Sequence, residues 1–263
     1  MRRVTGIALA LGMGIGLAAG AGAARAGEGA LFGSQWAQGR TVPLPWGAGL
    51  TVYEQRQGYK IDRLAVGVPG FDTLPTERLG IDNRIRELNV QLDAWLFPFL
   101  NVMVLGGQID GRTVVDFSDV ALPFPLDRVS INYDGEVYGG GLTLVAGTER
   151  LFASVNTVWT RTSLSGDFDS SADAFVAAPR VGLHDDRGSL WVGAMYQRAD
   201  EHHVGTIALP FIGPVPFELE LSQENEWNGL VGVHADLDGH WNLELEGGFG
   251  DRTSASATVV YRF

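Results

Sequence analysis

Residues 87–110 read ELNVQLDAWLFPFLNVMVLGGQID. Trp95–Val104 is the most apolar run after the N-terminal thirty residues, and a helix and a pair of strands compete for it. Pro98 decides against the helix, because an interior proline removes a hydrogen bond and clashes with the preceding turn. The flanks alternate: Leu88, Val90, Leu92 and Ala94 share one face, and Glu87, Asn89, Gln91 and Asp93 the other. Period 2 is the signature of a strand. The stretch therefore reads as two strands, Leu88–Leu96 and Leu100–Ile109, with a tight turn at Phe97–Phe99 between them.

The same alternation recurs along the chain. In WNLELEGGFG (241–250), Trp241, Leu243, Leu245 and Phe249 oppose Asn242, Glu244 and Glu246; in SASATVVYRF (254–263), Ala255, Ala257, Val259, Tyr261 and Phe263 oppose Ser256, Thr258 and Arg262. Phe175, Ala177, Val181 and Leu183 stand against Arg180 and His184. Tight turns fall near Phe97–Phe99, Gly147–Glu149, Asp186–Gly188 and Asp238–His240. Four longer connections alternate with them, and a fifth, short one lies near Asp251. Five hairpins follow, at about 49–96, 100–146, 150–184, 189–237 and 241–263. That makes roughly ten strands, with twelve or eight as alternatives because 49–67 can form one long strand or a small hairpin. Short turns at one end and long loops at the other describe an all-β, antiparallel, up-and-down transmembrane barrel.

The N-terminus and the aromatics agree with that expectation. Two arginines, an apolar run and Ala24-Arg25-Ala26 form an export signal over 1–26. Residues 27–48 lack periodicity and either hang into the periplasm or enter the barrel from below; the barrel proper is expected over 49–263. No later stretch reaches the roughly 18 apolar residues of a spanning helix. Trp95, Trp191 and Trp241 lie close to tight turns, and Trp159 and Trp227 about ten residues away, the length of a membrane-crossing strand. With Phe263 they are expected to form two aromatic girdles. The chain ends in YRF, and a final amphipathic strand with a terminal Phe resembles the signal read by the barrel-assembly machinery.

LDAWLFPFLNVMVLGGQIDGRT, APRVGL, LWVGAMYQ, GPVPFELEL and LEGGFGDRTSASATVVYRF together resemble a family of uncharacterised proteobacterial outer-membrane β-barrel proteins. The resemblance runs over most of the mature chain. It implies the fold and the outer membrane of a Gram-negative bacterium, and brings no catalytic residue with it.

Charge and chemistry narrow the function. After removal of 1–26, 16 basic face 31 acidic residues, a net charge of −15, which speaks against nucleic acid as a partner. The chain has no cysteine, so neither disulfides nor thiolate metal sites arise. Glu87, Asp93, Asp110, Arg112, Arg180, His234, Glu244, Glu246 and Arg262 are expected to face the lumen as a polar network, with Arg180 meeting Glu244 and Glu246 across it. Such a set either satisfies itself in a closed core or forms an acidic constriction for small solutes. His202 and His203 follow Asp200 and Glu201, but neighbours on a strand point to opposite faces. They are expected to be a solvated strand end rather than a hydrolase site, and Asp200 with His202 lacks a third metal ligand; no cofactor is expected.

The long connections carry a further signal. VGVPGFDTLPTERL, FSDVALPFPLDRVS and GTIALPFIGPVPFELEL put Leu122, Phe124, Leu209, Phe211, Ile212 and Phe217 at the tips of outward hairpins, with prolines that block edge pairing. The tips either pack as a lid or present an apolar patch for a hydrophobic small molecule, lipid or lipopolysaccharide. The expected function is a non-enzymatic outer-membrane barrel of structural or surface-interaction role. A passive channel for small or hydrophobic solutes is the alternative, and a surface hydrolase a more distant one.

Overall fold

The computed structural model describes residues 29–37, 42–66, 78–120, 127–166, 170–200, 203–209, 213–223 and 225–263. The expected signal segment 1–26 lies outside them. Twelve strands follow in order: β1 (Trp46–Val66), β2 (Gly80–Phe97), β3 (Leu100–Asp116), β4 (Arg128–Gly147), β5 (Leu151–Gly166), β6 (Ser170–Asp185), β7 (Gly188–Asp200), β8 (His203–Leu209), β9 (Gly213–Gln223), β10 (Trp227–Asp236), β11 (Trp241–Phe249) and β12 (Arg252–Arg262). Ten of them close a barrel. Each of β1 to β6 pairs antiparallel with the next, β7 pairs with β10, β10 with β11 and β11 with β12, and β12 closes on β1 from Gly47↔Arg262 to Gln57↔Arg252. The expected count of ten holds for the closed wall.

β8 and β9 are an extra hairpin. β1 outruns β12, and its outer part continues into pairing with β9, from Tyr59↔Gln223 to Val66↔Phe217. β9 thus stands above β12 on the same edge of β1, over the short strands β10 to β12.

The turns at the inner end are built by side-chain oxygens that accept backbone N–H groups, the ordinary chemistry of Asx turns. Asp185 Oδ1 accepts from Arg187 and Gly188, Asp236 Oδ1 from Asp238 and Gly239, and Asp238 Oδ1 from His240 and Trp241. These bonds hold the Asp185 and Asp238 carboxyls below their ordinary range. At the outer end of β3, Asp116 accepts from the hydroxyl and N–H of Ser118 and from Arg128, and its pKa falls to about 2.

The two faces of the wall exchange character with height. Near the turns the outward side chains are apolar and exposed: Leu50 and Val52, Leu88, Val90 and Leu92, Val104, Leu144, Val181 and Leu183, Leu190 and Val192, Leu245 and Val259. Each such segment covers about the 9–11 residues a tilted strand needs to cross a bilayer. The inward side chains there are polar. Beyond this height Glu54, Arg86, Gln108, Glu136, Arg161, Asp173 and Arg198 point outward, at neighbouring registers on successive strands. Inside at that height lies an apolar core of Tyr53, Tyr59, Ile81, Ile85, Ile109, Ile131, Tyr133 and Leu164. An uninterrupted exposed apolar belt with a polar interior belongs in lipid; charged walls around an apolar core belong in water. The barrel spans a membrane with its inner half and projects beyond it with its outer half.

This inversion corrects two expectations. Asp110 and Arg112 were expected in the lumen, but both are outward and exposed on β3. They sit in the part of the strand where charge faces water.

Aromatic residues mark the edges of the belt. Trp159, Phe175, Tyr196 and Trp227 run round four adjacent strands with ring centroids 4.9, 6.4 and 5.3 Å apart. At the inner edge Trp241, Tyr261 and Phe263 form a second series, joined by the exposed Trp46. Trp95 and Trp191 do not belong to either: they are 2% and 4% exposed and face inward. The parity that aims Asp93 inward aims Trp95 inward as well, and β7 is apolar on both faces, so its pattern does not say which way Trp191 points.

Candidate functional site in the barrel lumen

The inner half of the lumen is filled by a linked polar network. Arg180 on β6 forms an ion pair with Glu246 on β11, Nε to Oε2 at 2.8 Å, and Nη2 donates to Oε1 at 3.0 Å. Trp191 on β7 donates its indole N–H to Glu246 Oε2 at 2.9 Å, and the Arg180 guanidinium lies 5.6 Å from the centre of that indole. Arg262 on β12 donates to Asp93 on β2 at 3.0 Å, and Asn101 donates to the same oxygen at 2.7 Å. His234 and Asn242 share a 2.7 Å bond, with Asn242 Oδ1 accepting, and Asn89 donates to Glu87 at 3.1 Å.

Glycines in the wall make these long reaches possible. A Cβ on Gly232 would stand 2.3 Å from the Trp191 ring, and one on Gly47 would stand 2.3 Å from Asp93 Oδ2. Without side chains there, the indole lies across β10 and the Arg262–Asp93 pair bridges over β1.

The network closes the passage. Thr51, Gln91, Asn156, Arg180, His234, Glu244 and Arg262 are all between 0 and 3% exposed, whereas a passage one water wide would leave its lining accessible. Of the residues expected in the lumen, Glu87, Asp93, Arg180, His234, Glu244, Glu246 and Arg262 are there. Arg180 meets Glu246 as the spacing suggested. Glu244 lies beside the pair on the same strand face, and its two oxygens have no hydrogen-bond partner.

The other histidines in the inner half hold the turns. His240 Nδ1 is 2.8 Å from the Arg262 carbonyl oxygen and His184 Nε2 is 3.0 Å from that of Thr148. His203 begins β8, and His202 lies outside the described residues. Among the described residues no three His, Asp or Glu side chains come together as metal ligands.

Below the network, residues 29–37 lie against the inner end of β2. Leu31 and Phe32 donate to the carbonyls of Trp95 and Leu96. Trp36, in a short 3-10 turn (Ser34–Ala37), stacks on Phe97 at 5.5 Å and Phe99 at 6.1 Å. Of the apolar tips, Leu122, Phe124, Phe211 and Ile212 lie outside the described residues. Leu209 and Phe217 stand in the backbone pairs Leu209↔Gly213 and Gly205↔Phe217.

The strand periodicity did not single out Arg252, at the outer end of β12. It is 2% exposed, and its Nη1 donates to Gln57 Oε1 at 3.5 Å. It lies in GFGDRTS, where the turn signal masks the strand that follows; the parity of Arg262 would have aimed it inward.

No protein-family model and no curated protein matches the chain. Solved structures similar in shape include the outer membrane protein OprG from Pseudomonas aeruginosa, at 6% identity and TM-score 0.47 over 83% of this chain and 97% of that one. The transport unit of the autotransporter AIDA-I from Escherichia coli shows 11% identity and TM-score 0.43 over 82% and 90%. The Ralstonia pickettii toluene transporter TbuX shows 10% identity and TM-score 0.32 over 83% and 90%. Likeness at this level describes barrel shape and no more.

Proposed function

We propose that this chain is an integral barrel of the Gram-negative outer membrane with a closed lumen and a structural or surface-interaction role that involves no catalysis. The observation that carries the reading is the Arg180–Glu246 pair, locked by Trp191 and buried among inward side chains that water does not reach. A buried ion pair held by a further side-chain hydrogen bond is a structural device, whereas a conducting pore keeps its charged rings wet. The exposed belt supports lipid as the solvent of the inner half. The export signal and the paired C-terminal strand support an outer-membrane address reached through the barrel-assembly machinery. Above the belt, the outward arginines fit lipopolysaccharide phosphates as neighbours, although Arg56 is paired to Asp82, and Arg84 and Arg86 to Glu54.

The test is current across a planar bilayer. The purified protein is expected to insert, shown by heat-modifiable migration and protease protection in liposomes, without unitary conductance at ±100 mV. Reproducible ion-selective steps from the wild-type protein would replace this reading by that of a small-solute channel.

A further inference from the structure

At the outer edge of the belt, β4, β5 and β6 leave a groove of about 500 Å³ on the outside of the barrel, within the ~300–1,000 Å³ of small-molecule sites. Trp159 and Phe175 wall it on the membrane side, their ring centroids 4.9 Å apart. Tyr138, Arg161 and Asp173 stand one outward position farther from the inner turns, and Gly139 contributes to the floor. These side chains are open to their surroundings: Tyr138 is 55% exposed and Trp159 52%, and the side chains of Arg161 and Asp173 are 54% and 67% exposed.

The wall beside the groove is bare. Gly140 is the register partner of Trp159, and Gly106 that of Tyr138; both take outward positions where the rest of the belt carries large apolar side chains. The inward Gly139 is required by packing, since a Cβ there would stand 2.2 Å from the Trp159 carbonyl oxygen. A Cβ on Gly106 would meet nothing nearer than 3.8 Å, and one on Gly140 nothing nearer than 3.0 Å. Glycine weakens a strand, and one that packing does not demand marks a close approach from outside. Below this bare patch the exposed Val104, Leu144 and Val155 continue as ordinary belt. The charges are also loosely held. Arg161 Nε lies 3.7 Å from Asp173 Oδ1, beyond hydrogen-bond distance, so the groove offers one cation and one anion side by side at the level of lipid head groups.

We propose that this groove holds one zwitterionic phospholipid, with its phosphate on Arg161, its ammonium between Asp173 and the faces of Trp159 and Tyr138, and one acyl chain running down the bare track at Gly140. Aromatic faces attract a cation electrostatically, and a guanidinium matches phosphate oxygens. A purely anionic head would set its charge against Asp173, and a neutral hydrocarbon would leave both charges unused. The site rests on the lipid-facing belt of the reading above and not on the closed lumen, so bilayer recording and lipid retention succeed or fail separately.

Native mass spectrometry of the full mature protein in nonionic detergent tests it, with palmitoyl-oleoyl phosphatidylethanolamine as probe and phosphatidylglycerol of the same chains as its anionic counterpart. One saturable ethanolamine lipid per barrel is expected, held about fivefold more tightly than the glycerol lipid, the order of one half-exposed charge contact. Asp173→Asn is expected to abolish that preference, and Arg161→Gln to weaken both lipids by about the same factor, since both carry the phosphate. Both variants should keep the folded, heat-modifiable band. An arm without any variant adds hexa-acylated lipid A to the wild-type complex, and at equal concentration it is expected not to displace the ethanolamine lipid. Absence of a saturable site, equal retention of the two phospholipids, displacement by lipid A, an unchanged preference in folded Asp173→Asn, or undiminished binding by folded Arg161→Gln would each overturn the proposal.

Discussion

At the scale of single residues, Arg180 and Glu246 show what burial does to a charge pair. Breaking such a pair leaves one ion in a medium that cannot solvate it, at about 3–5 kcal/mol, whereas replacing both ends with apolar groups is close to neutral. Glu246→Gln is therefore expected to lower the stability in urea by about that amount, and Arg180→Met with Glu246→Leu by much less than the two single changes summed. Additive losses would mean that the pair is not coupled. The turn carboxylates respond to pH instead. Asp238 is held below its ordinary value by the N–H groups of Trp241 and His240. Its stabilisation is complete above the unfolded value of 3.8 and fades as pH falls through the lower folded one. Urea midpoints measured from pH 6 down to pH 2.5 should fall less steeply in Asp238→Asn than in the wild type, and parallel curves would remove Asp238 from the account. Residues of this kind were legible where parity and a neighbouring turn agreed: Arg180 and Glu246 are two such cases. Trp191 was not, because a strand apolar on both faces carries no direction.

At the scale of the strand, the informative feature is that polarity changes sides halfway along. β2 presents Leu88, Val90 and Leu92 outward near the turn and Arg86 and Arg84 outward farther up, while its inward face passes from Asp93, Gln91 and Asn89 to Ile85 and Ile81. The alternation is continuous through the switch, so period alone found the strands and their ends. The hairpins expected at 100–146 and 150–184 are β3–β4 and β5–β6 to within a residue or two. The period does not say which face is wet, and one rule applied to the whole of β3 sends Asp110 and Arg112 the wrong way. The membrane boundary can be measured by substitution. Leu92→Arg, near the middle of the belt, is expected to cost about 2–4 kcal/mol in a lipid-reconstituted unfolding titration. Asp110→Leu, above the belt, should stay within about 0.5 kcal/mol. Equal costs at the two sites would mean that lipid covers both, and the outer half would no longer read as a projection into water.

At the scale of the whole molecule, closure is what separates this sheet from an aggregation-prone ribbon. A ten-stranded antiparallel sheet left open in lipid exposes two edges whose N–H and C=O groups have no water to bond, at several kcal/mol for each unsatisfied group. The eleven-residue register between β1 and β12 removes both edges. At its inner end Trp46 and Phe263 exchange backbone bonds in both directions. The segment 29–37 sits differently: it adds two backbone bonds to the end of β2 and a stack of aromatic rings at the mouth, and no strand depends on it for a partner. Two truncations therefore have opposite outcomes. Removing residues 252–263 opens the barrel, and the protein is expected to lose heat-modifiable migration altogether. Removing residues 29–37 keeps the folded band and lowers the unfolding free energy by only about 1–3 kcal/mol, the order of two hydrogen bonds and one or two aromatic contacts. A folded band that survives the first deletion would show that β1 and β12 are not the seam on which the barrel closes. Loss of the band in the second would make the N-terminal segment part of the barrel's foundation.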